Sequence, residues 1–465
     1  MQNSEPLVPL GVAIIALSFG LIVIPYLRGK SDALTAWNMF LFGGALFIGV
    51  GCLEVAYGVF HWPELQWFQP TKQDVHKFML GTVCFYATLL IAYYLLKWPR
   101  KVAALFFPNR PPQPTSALYF FLALFVSLML LAFFFIDVPI AGALFANISH
   151  KAAVFAAVFS FAHWYRNKVN FAALLLFLGI FGYVLLFAMV TFVGRRLLLS
   201  VVVSPLICMY WLRWRYRPPK YSLILLGTAV VLAMGAAAFY STIRHGTVAT
   251  RDSERSFATI VQRIKESSLD NAVGQISRDW MHYVAQYTTH YSLLTIHLVD
   301  SGEAPLDPLN TLAFLATYPI PRILFPAKPA PFGIRIVTDV LRLSAQTNWG
   351  CGIVGHGYQE GGIPVIILYA VLIVILIRTV DDALLRQPSN VYLLGILCTS
   401  APHFTSLTRG DTTTMSAEII ESLFFAWGIA LLGRVLFGNG PTTKETSSMQ
   451  NGPPQLGGQV WHVRR

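Results

Sequence analysis

Charge is scarce in this chain. Asp, Glu, Lys and Arg make up 12% of its 465 residues, against 55% hydrophobic. A soluble globular domain carries about 25% charge, so that class is excluded. Cysteine is scarce too. Of five, Cys52, Cys84, Cys208 and Cys398 lie in or beside apolar runs, leaving Cys351 elsewhere. A disulfide framework is therefore not expected, nor is a zinc site, because no paired Cys or His spacing is present. There is no internal repeat and no separate soluble domain. The first apolar run has no positive charge before it and no small-residue cleavage site after it, so it is expected to stay as an anchor. The net charge of +12 does not argue for nucleic acid, because much of it lies in short loops between apolar runs, where anionic lipid is partner enough.

What the chain has instead is apolar length. Runs of about 20 apolar residues satisfy their backbone in lipid only as helices. About eleven such spans are expected: Leu7–Leu27, Trp37–Tyr57, Phe78–Leu96, Ala117–Ile136, Ile140–Tyr165, Phe171–Val193, Leu197–Tyr210, Tyr221–Thr242, Ile363–Ile377, Val391–Phe404 and Met415–Leu436. The predicted fold is an all-α polytopic membrane protein. It divides into N-terminal spans (1–243), one large loop (244–362), three C-terminal spans (363–437) and a disordered tail (438–465). The spans are nearly free of charge, with Glu54 and Lys151 as the exceptions.

The cations orient the chain. Eighteen of the 34 Lys and Arg fall in alternate loops: Arg28 and Lys30; Lys97, Arg100, Lys101 and Arg110; Arg166 and Lys168; Arg213, Arg215, Arg217 and Lys220; Arg378 and Arg386; and Arg434, Lys444, Arg464 and Arg465. By the positive-inside rule that side is cytoplasmic, which puts the N-terminus outside and the large loop on the outer face of a bacterial inner membrane. Ten of the remaining cations belong to the large loop, and long loops translocate largely regardless of charge.

Three outer elements hold arginine where topology alone would not place it. Gly194-Arg195-Arg196 is a tight turn between two spans, and Leu407-Thr408-Arg409-Gly410-Asp411 is another. The third is the large loop. Its first half spaces Phe257, Ile260, Val261, Ile264, Trp280, Val284 and Tyr287 as amphipathic helices lying along the membrane surface would. Its second half, Tyr318 to Pro331, has five prolines in fourteen residues, with Arg322 and Lys328 among them. Proline keeps such a segment out of regular helix, which makes it a stiff apolar-basic strap. Then comes a glycine-rich stretch from Gly350 to Gly362, with His356 and Glu360 four residues apart, on one face if the segment is helical. His403, beside Pro402, is a second candidate imidazole.

Arginine offers a permanently charged fork that matches phosphate. A diphosphate leaving group can be neutralised by a divalent metal or by such cations. A metal needs convergent carboxylates, and the outer face has no Asp-x-Asp pair, since Asp381-Asp382 lies on the cytoplasmic side. No metal or other cofactor is expected.

The chain resembles the bacterial O-antigen polymerase (Wzy-type) and oligosaccharide repeat-unit polymerase group. The likeness covers the plan of spans with one late outer loop. It also covers the Gly-Arg-Arg start of a span, the Pro-Arg…Pro-x-Lys-Pro phrase from Pro321 to Pro329, a Glu-x-Gly motif entering a span and the Arg-Gly-Asp turn. The resemblance implies a GT-C-like polymerase/ligase architecture. It also implies a metal-independent glycosyltransferase that moves a glycan from an undecaprenyl-diphosphate carrier onto the next lipid-linked repeat unit. The implied roles are diphosphate binding by Arg195 or Arg196 with Arg409, a clamp by Arg322 and Lys328, and Glu360 or His356 as general base. A chain-length regulator and export proteins are implied partners. An O-antigen ligase is the enzyme alternative, and a lipid-linked oligosaccharide flippase is the non-enzyme one.

Overall fold

The structure is a computed structural model, and it describes residues 4–58, 68–107, 118–135, 142–166, 170–190, 195–245, 280–318, 320, 324–342 and 350–437. Every regular element among the described residues is helical. The N-terminal helices are α1 (Leu7–Leu27), α2 (Ala36–Ala56), α3 (Lys72–Leu95), α4 (Pro99–Phe106), α5 (Leu118–Phe135), α6 (Gly142–Arg166), α7 (Phe171–Val190), α8 (Arg195–Leu212) and α9 (Pro219–His245). The loop region contributes α10 (Trp280–Ala285), α11 (Thr288–Asp300), α12 (Asn310–Thr317), α13 (Phe332–Arg335) and α14 (Gly352–Gln359). α15 (Ile363–Arg386), α16 (Val391–Ser406) and α17 (Thr412–Phe437) close the chain.

Among the described residues, six helices are long and apolar enough to cross a membrane: α1, α2, α3, Phe171–Ala188 within α7, α15, and Thr412–Leu436 within α17. This is an all-helical, multi-pass membrane protein. The other five expected spans are helical as well, but they meet that measure less fully. Among the described side chains, α5, α8 and α9 give the apolar stretches Phe121–Ala132, Arg196–Leu212 and Pro219–Leu232. α6 carries Asn147, His150 and Lys151, and α16 has only 16 residues. α16 can be short because it does not face lipid. No residue from Val391 to Ser406 is exposed, and the helix is packed against α2, α6, α8 and α17.

Lipid-facing helices still turn one side inward. α1 buries Leu7, Gly11, Ile14, Ser18, Ile22 and Tyr26, at helical spacing, while Val12, Phe19, Ile24 and Leu27 are exposed. Hydropathy hides this face because both sides are apolar, and small residues mark it. A β-carbon on Gly11 would lie 2.6 Å from the Gly49 carbonyl, so α1 and α2 cross backbone to backbone. Polar anchors fix the helix ends. Thr71 and Asp74 form a capping box on α3. Asp381 accepts from Ala36 N (2.7 Å) and Trp37 N (3.0 Å) at the start of α2. Arg378 donates to the Tyr93 and Leu96 carbonyls (2.6 and 2.7 Å) at the end of α3.

The large loop is only partly described, since residues 246–279 lie outside the described residues and with them most of the expected amphipathic stretch. At the end of that stretch, expected to run from Glu254 to Leu298, the expectation is corrected: α11 is an interior helix rather than a surface one. It is buried at every position from Thr288 to Ile296 and packed against α14 and α3. Thr288, Ser292 and Thr295 turn their hydroxyls back onto backbone carbonyls, so these polar side chains tolerate the interior.

Candidate functional site

The glycine-rich stretch becomes the short helix α14, and three of its glycines are sites of close approach. A β-carbon on Gly350 would lie 2.7 Å from the Arg409 carbonyl, one on Gly355 2.7 Å from Ser292 Cα, and one on Gly357 2.8 Å from Ile366. α14 is thus wedged between the 408–410 turn, α11 and the start of α15. Two glycines are needed for their backbone: Gly352 enters the helix at φ +64° and Gly362 leaves it at +73°. The first N–H groups of α14, those of Gly352 and Ile353, donate to the carbonyls of Arg409 (3.0 Å) and Thr408 (3.3 Å). This ties the glycine-rich segment to the Arg-Gly-Asp turn. Cys351 is core: it is buried, and its carbonyl accepts from Ser292 Oγ at 2.6 Å.

His356 and Glu360 do share a face. His356 Nε2 lies 2.6 Å from Glu360 Oε1, and both side chains are wholly buried. Glu360 also accepts from Thr311 N at both oxygens (3.1 and 3.0 Å), from Thr311 Oγ1 (2.6 Å) and from the Tyr369 hydroxyl. It therefore caps α12, whose preceding residue Leu309 is left-handed at φ 57°. Thr413 Oγ1, on α17, closes the network 2.8 Å from Thr311 Oγ1, and the imidazole stacks on Phe332 with centroids 4.7 Å apart. Sequence reasoning found the His–Glu pair but missed Thr311, Tyr369 and Thr413, which carry no local signal.

Burial pushes the His356 pKa down, but the Glu360 hydrogen bond and charge, with Asp411 behind them, outweigh it and leave the imidazole above its ordinary 6.5. Burial pushes Glu360 up, and His356, Thr311 and Tyr369 together bring it below its ordinary 4.5. Each partner thus favours the charged form of the other. The sign of the effect on stability follows from linkage. The His356 contribution is complete below 6.5 and is lost as pH rises through the raised folded value. The Glu360 contribution is complete above 4.5 and is lost as pH falls through the lowered one. Thermal unfolding of the detergent-solubilised protein should therefore show highest stability between these limits and a decline above pH 6.5. His356→Ala should flatten that alkaline decline.

Of the five expected diphosphate ligands, Arg196 reaches the turn that carries Arg409. The Arg196 guanidinium lies against Gly410, with Nη2 3.5 Å from where a β-carbon on Gly410 would sit, next to Arg409 in the same turn. Arg409 also lies over the Phe47 ring, 6.0 Å from its centroid. The Arg195 side chain and the whole of Arg322 lie outside the described residues. Lys328 is turned back on its own segment. Its Nζ donates to the carbonyls of Tyr318 (2.7 Å) and Ile320 (3.1 Å) and lies over the Phe314 and Tyr318 rings. Arg335 is paired with Asp307.

One expectation is corrected. Glu54 and Lys151 are not the only charges inside spans, because α17 carries Glu418 and Glu421, and both pair with Lys151. Two acids three residues apart in an apolar run were a readable signal. Among the described residues no three His, Cys, Asp or Glu side chains converge as they would on a metal ion. No protein-family model, curated protein or solved structure matches this chain.

Proposed function

We propose that this protein is a glycosyltransferase of the polytopic, lipid-linked-donor class. It takes a glycan from a polyprenyl-diphosphate carrier and joins it to the next lipid-linked repeat unit on the outer face of the inner membrane. The observation that supports this reading is the approach of the Arg196 guanidinium to Gly410, the neighbour of Arg409, from a position 213 residues away from Arg409 in sequence, beside a helix that is itself hydrogen-bonded to that turn. Two guanidinium groups at the end of an apolar bundle suit a lipid anion with two phosphates. An apolar groove between α5 and α17, lined by Val126, Phe425, Ile429 and Leu432, lies further along the helix that begins at this turn and suits a polyprenyl chain.

In this reading Arg196 and Arg409 meet the charge that develops on the leaving diphosphate, and Arg195, Arg322 and Lys328 are further contacts from the flanking turn and the strap. His356 and Glu360 act as a positioning pair that clamps α12, α14 and α17 around the turn, because a carboxylate with both oxygens occupied and no exposure has no lone pair to offer a substrate hydroxyl.

The buried Lys151, Glu418 and Glu421 are the one observation that favours a transporter, since intramembrane charges commonly mark transport paths. A reconstituted assay separates the two readings. Purified protein in vesicles, given polyprenyl-diphosphate-linked repeat units, should yield a ladder of longer glycans and free polyprenyl diphosphate, at a rate EDTA leaves unchanged. Transbilayer movement of the labelled lipid without a ladder would replace the enzyme with a flippase. Magnesium-restored activity after EDTA would overturn the arginine mechanism.

A further inference from the structure

A second polar cluster sits inside the bundle. Lys151, on α6, has a side chain 3% exposed and lies 2.5 Å from Glu418 Oε2 and 3.0 Å from Glu421 Oε2 on α17. Asn147, one turn earlier, donates to Glu418 Oε1 at 3.0 Å. Tyr318, where α12 runs into the strap, donates to Glu421 Oε2 at 3.2 Å. His150 Nε2 is hydrogen-bonded to Ser200 Oγ at 3.0 Å. His403, on α16, lies within the fields of Glu418, Lys151 and Arg196. His403 therefore lies close enough to feel both the cluster and Arg196.

Its hydrogen bonding is uneven. Both Glu418 oxygens are taken, whereas Glu421 Oε1, His150 Nδ1 and His403 Nδ1 are buried with no hydrogen-bond partner among the described residues. His150 and His403 are 1% and 4% exposed. A buried polar atom left unmet costs about 1–3 kcal/mol, and such atoms are few in native proteins. Glu421 Oε1, on the carboxylate whose other oxygen Lys151 and Tyr318 hold, points to a polar ligand. Two carboxylates disfavour an anion, and the Lys151 ammonium holds the place a cation would take. A carboxylate oxygen accepts, and an imidazole nitrogen donates or accepts by tautomer. Sugar hydroxyls, which do both, fit this set.

We infer that this cluster receives the acceptor sugar and that Glu421 takes the proton from the attacking hydroxyl. The inference rests on the glycosyl-transfer reading above. In the step, the acceptor O–H bond breaks and its proton passes to Glu421 Oε1. The oxygen's electron pair forms the new bond to the donor's anomeric carbon. The bond from that carbon to the diphosphate oxygen breaks, and its electron pair leaves on the diphosphate, held by Arg196 and Arg409. Lys151 and Tyr318 hold Glu421 by Oε2, which leaves Oε1 for the acceptor hydroxyl.

The test uses the full chain in vesicles with a polyprenyl-diphosphate-linked repeat unit. Glu421→Gln keeps the shape and the Tyr318 and Lys151 contacts. It should lower transfer about 100-fold or more, the scale of general base catalysis, and leave binding of the lipid-linked donor unchanged. Glu421→Asp should recover part of the rate with a displaced pH–rate profile. A wild-type rate and profile in Glu421→Gln, with Arg409→Ala inactive, would overturn the inference and leave the glycosyltransferase reading standing. Wild-type rates in both would remove that reading as well. If Glu421→Gln does not fold, His403→Gln decides: a KM for acceptor raised several-fold with donor binding unchanged is expected, and an unchanged acceptor KM overturns the assignment.

Discussion

Replacing Arg409 by Ala should abolish polymer, lowering transfer by a factor of at least about 100, the cost of one donor aimed at developing charge. Arg196→Ala should do the same. If both guanidinium groups hold one diphosphate, the double variant should be little worse than either single one. Lysine should not rescue either position, because a point charge on a flexible stem does not reproduce a planar fork against two phosphates. Expression and the single repeat unit should persist, because Arg409 holds α14 through its backbone carbonyl, which the substitution leaves in place. Product length on a size-resolving gel reads the result, and a normal ladder from both variants would end the diphosphate assignment.

Glu360→Ala should be the most damaging single change to stability. It removes the acceptor of the Thr311 N–H and hydroxyl, the Tyr369 hydroxyl and the His356 imidazole at one stroke. Removing one partner of a buried charged pair costs about 3–5 kcal/mol, because the other is left without compensation. The loss should be read as a lower thermal midpoint and a smaller monodisperse fraction after solubilisation. Replacing His356 and Glu360 together should cost less than the two single losses combined, since no lone buried charge remains. A Glu360→Ala protein as stable as wild type would show that Thr311 and Tyr369 find other partners and that the pair does not clamp the site.

Much of this was legible in the chain. Apolar length and scarce charge were enough for a helical membrane protein, and the separation of four between His356 and Glu360 was enough for a shared face once that segment was helical. The glycine-rich stretch was visible in the chain, and the structure shows what Gly350, Gly355 and Gly357 approach: the Arg409 carbonyl, Ser292 and Ile366. Lys151 stood out as an anomaly in an apolar run, but its partners Glu418 and Glu421 lie 267 and 270 residues away.

Chain chemistry alone set the class of fold, the apolar character of the spans and the separations along each helix, because periodicity and hydropathy are local properties. It could not say which side of each span turns inward: in lipid both faces of α1 are apolar, and only packing against Gly49 distinguishes them. Nor could it bring Arg196 to Gly410, Thr311 to Glu360 or Lys151 to α17. Those meetings are fixed by how the helices cross around α16, and no pattern within one helix encodes the position of another.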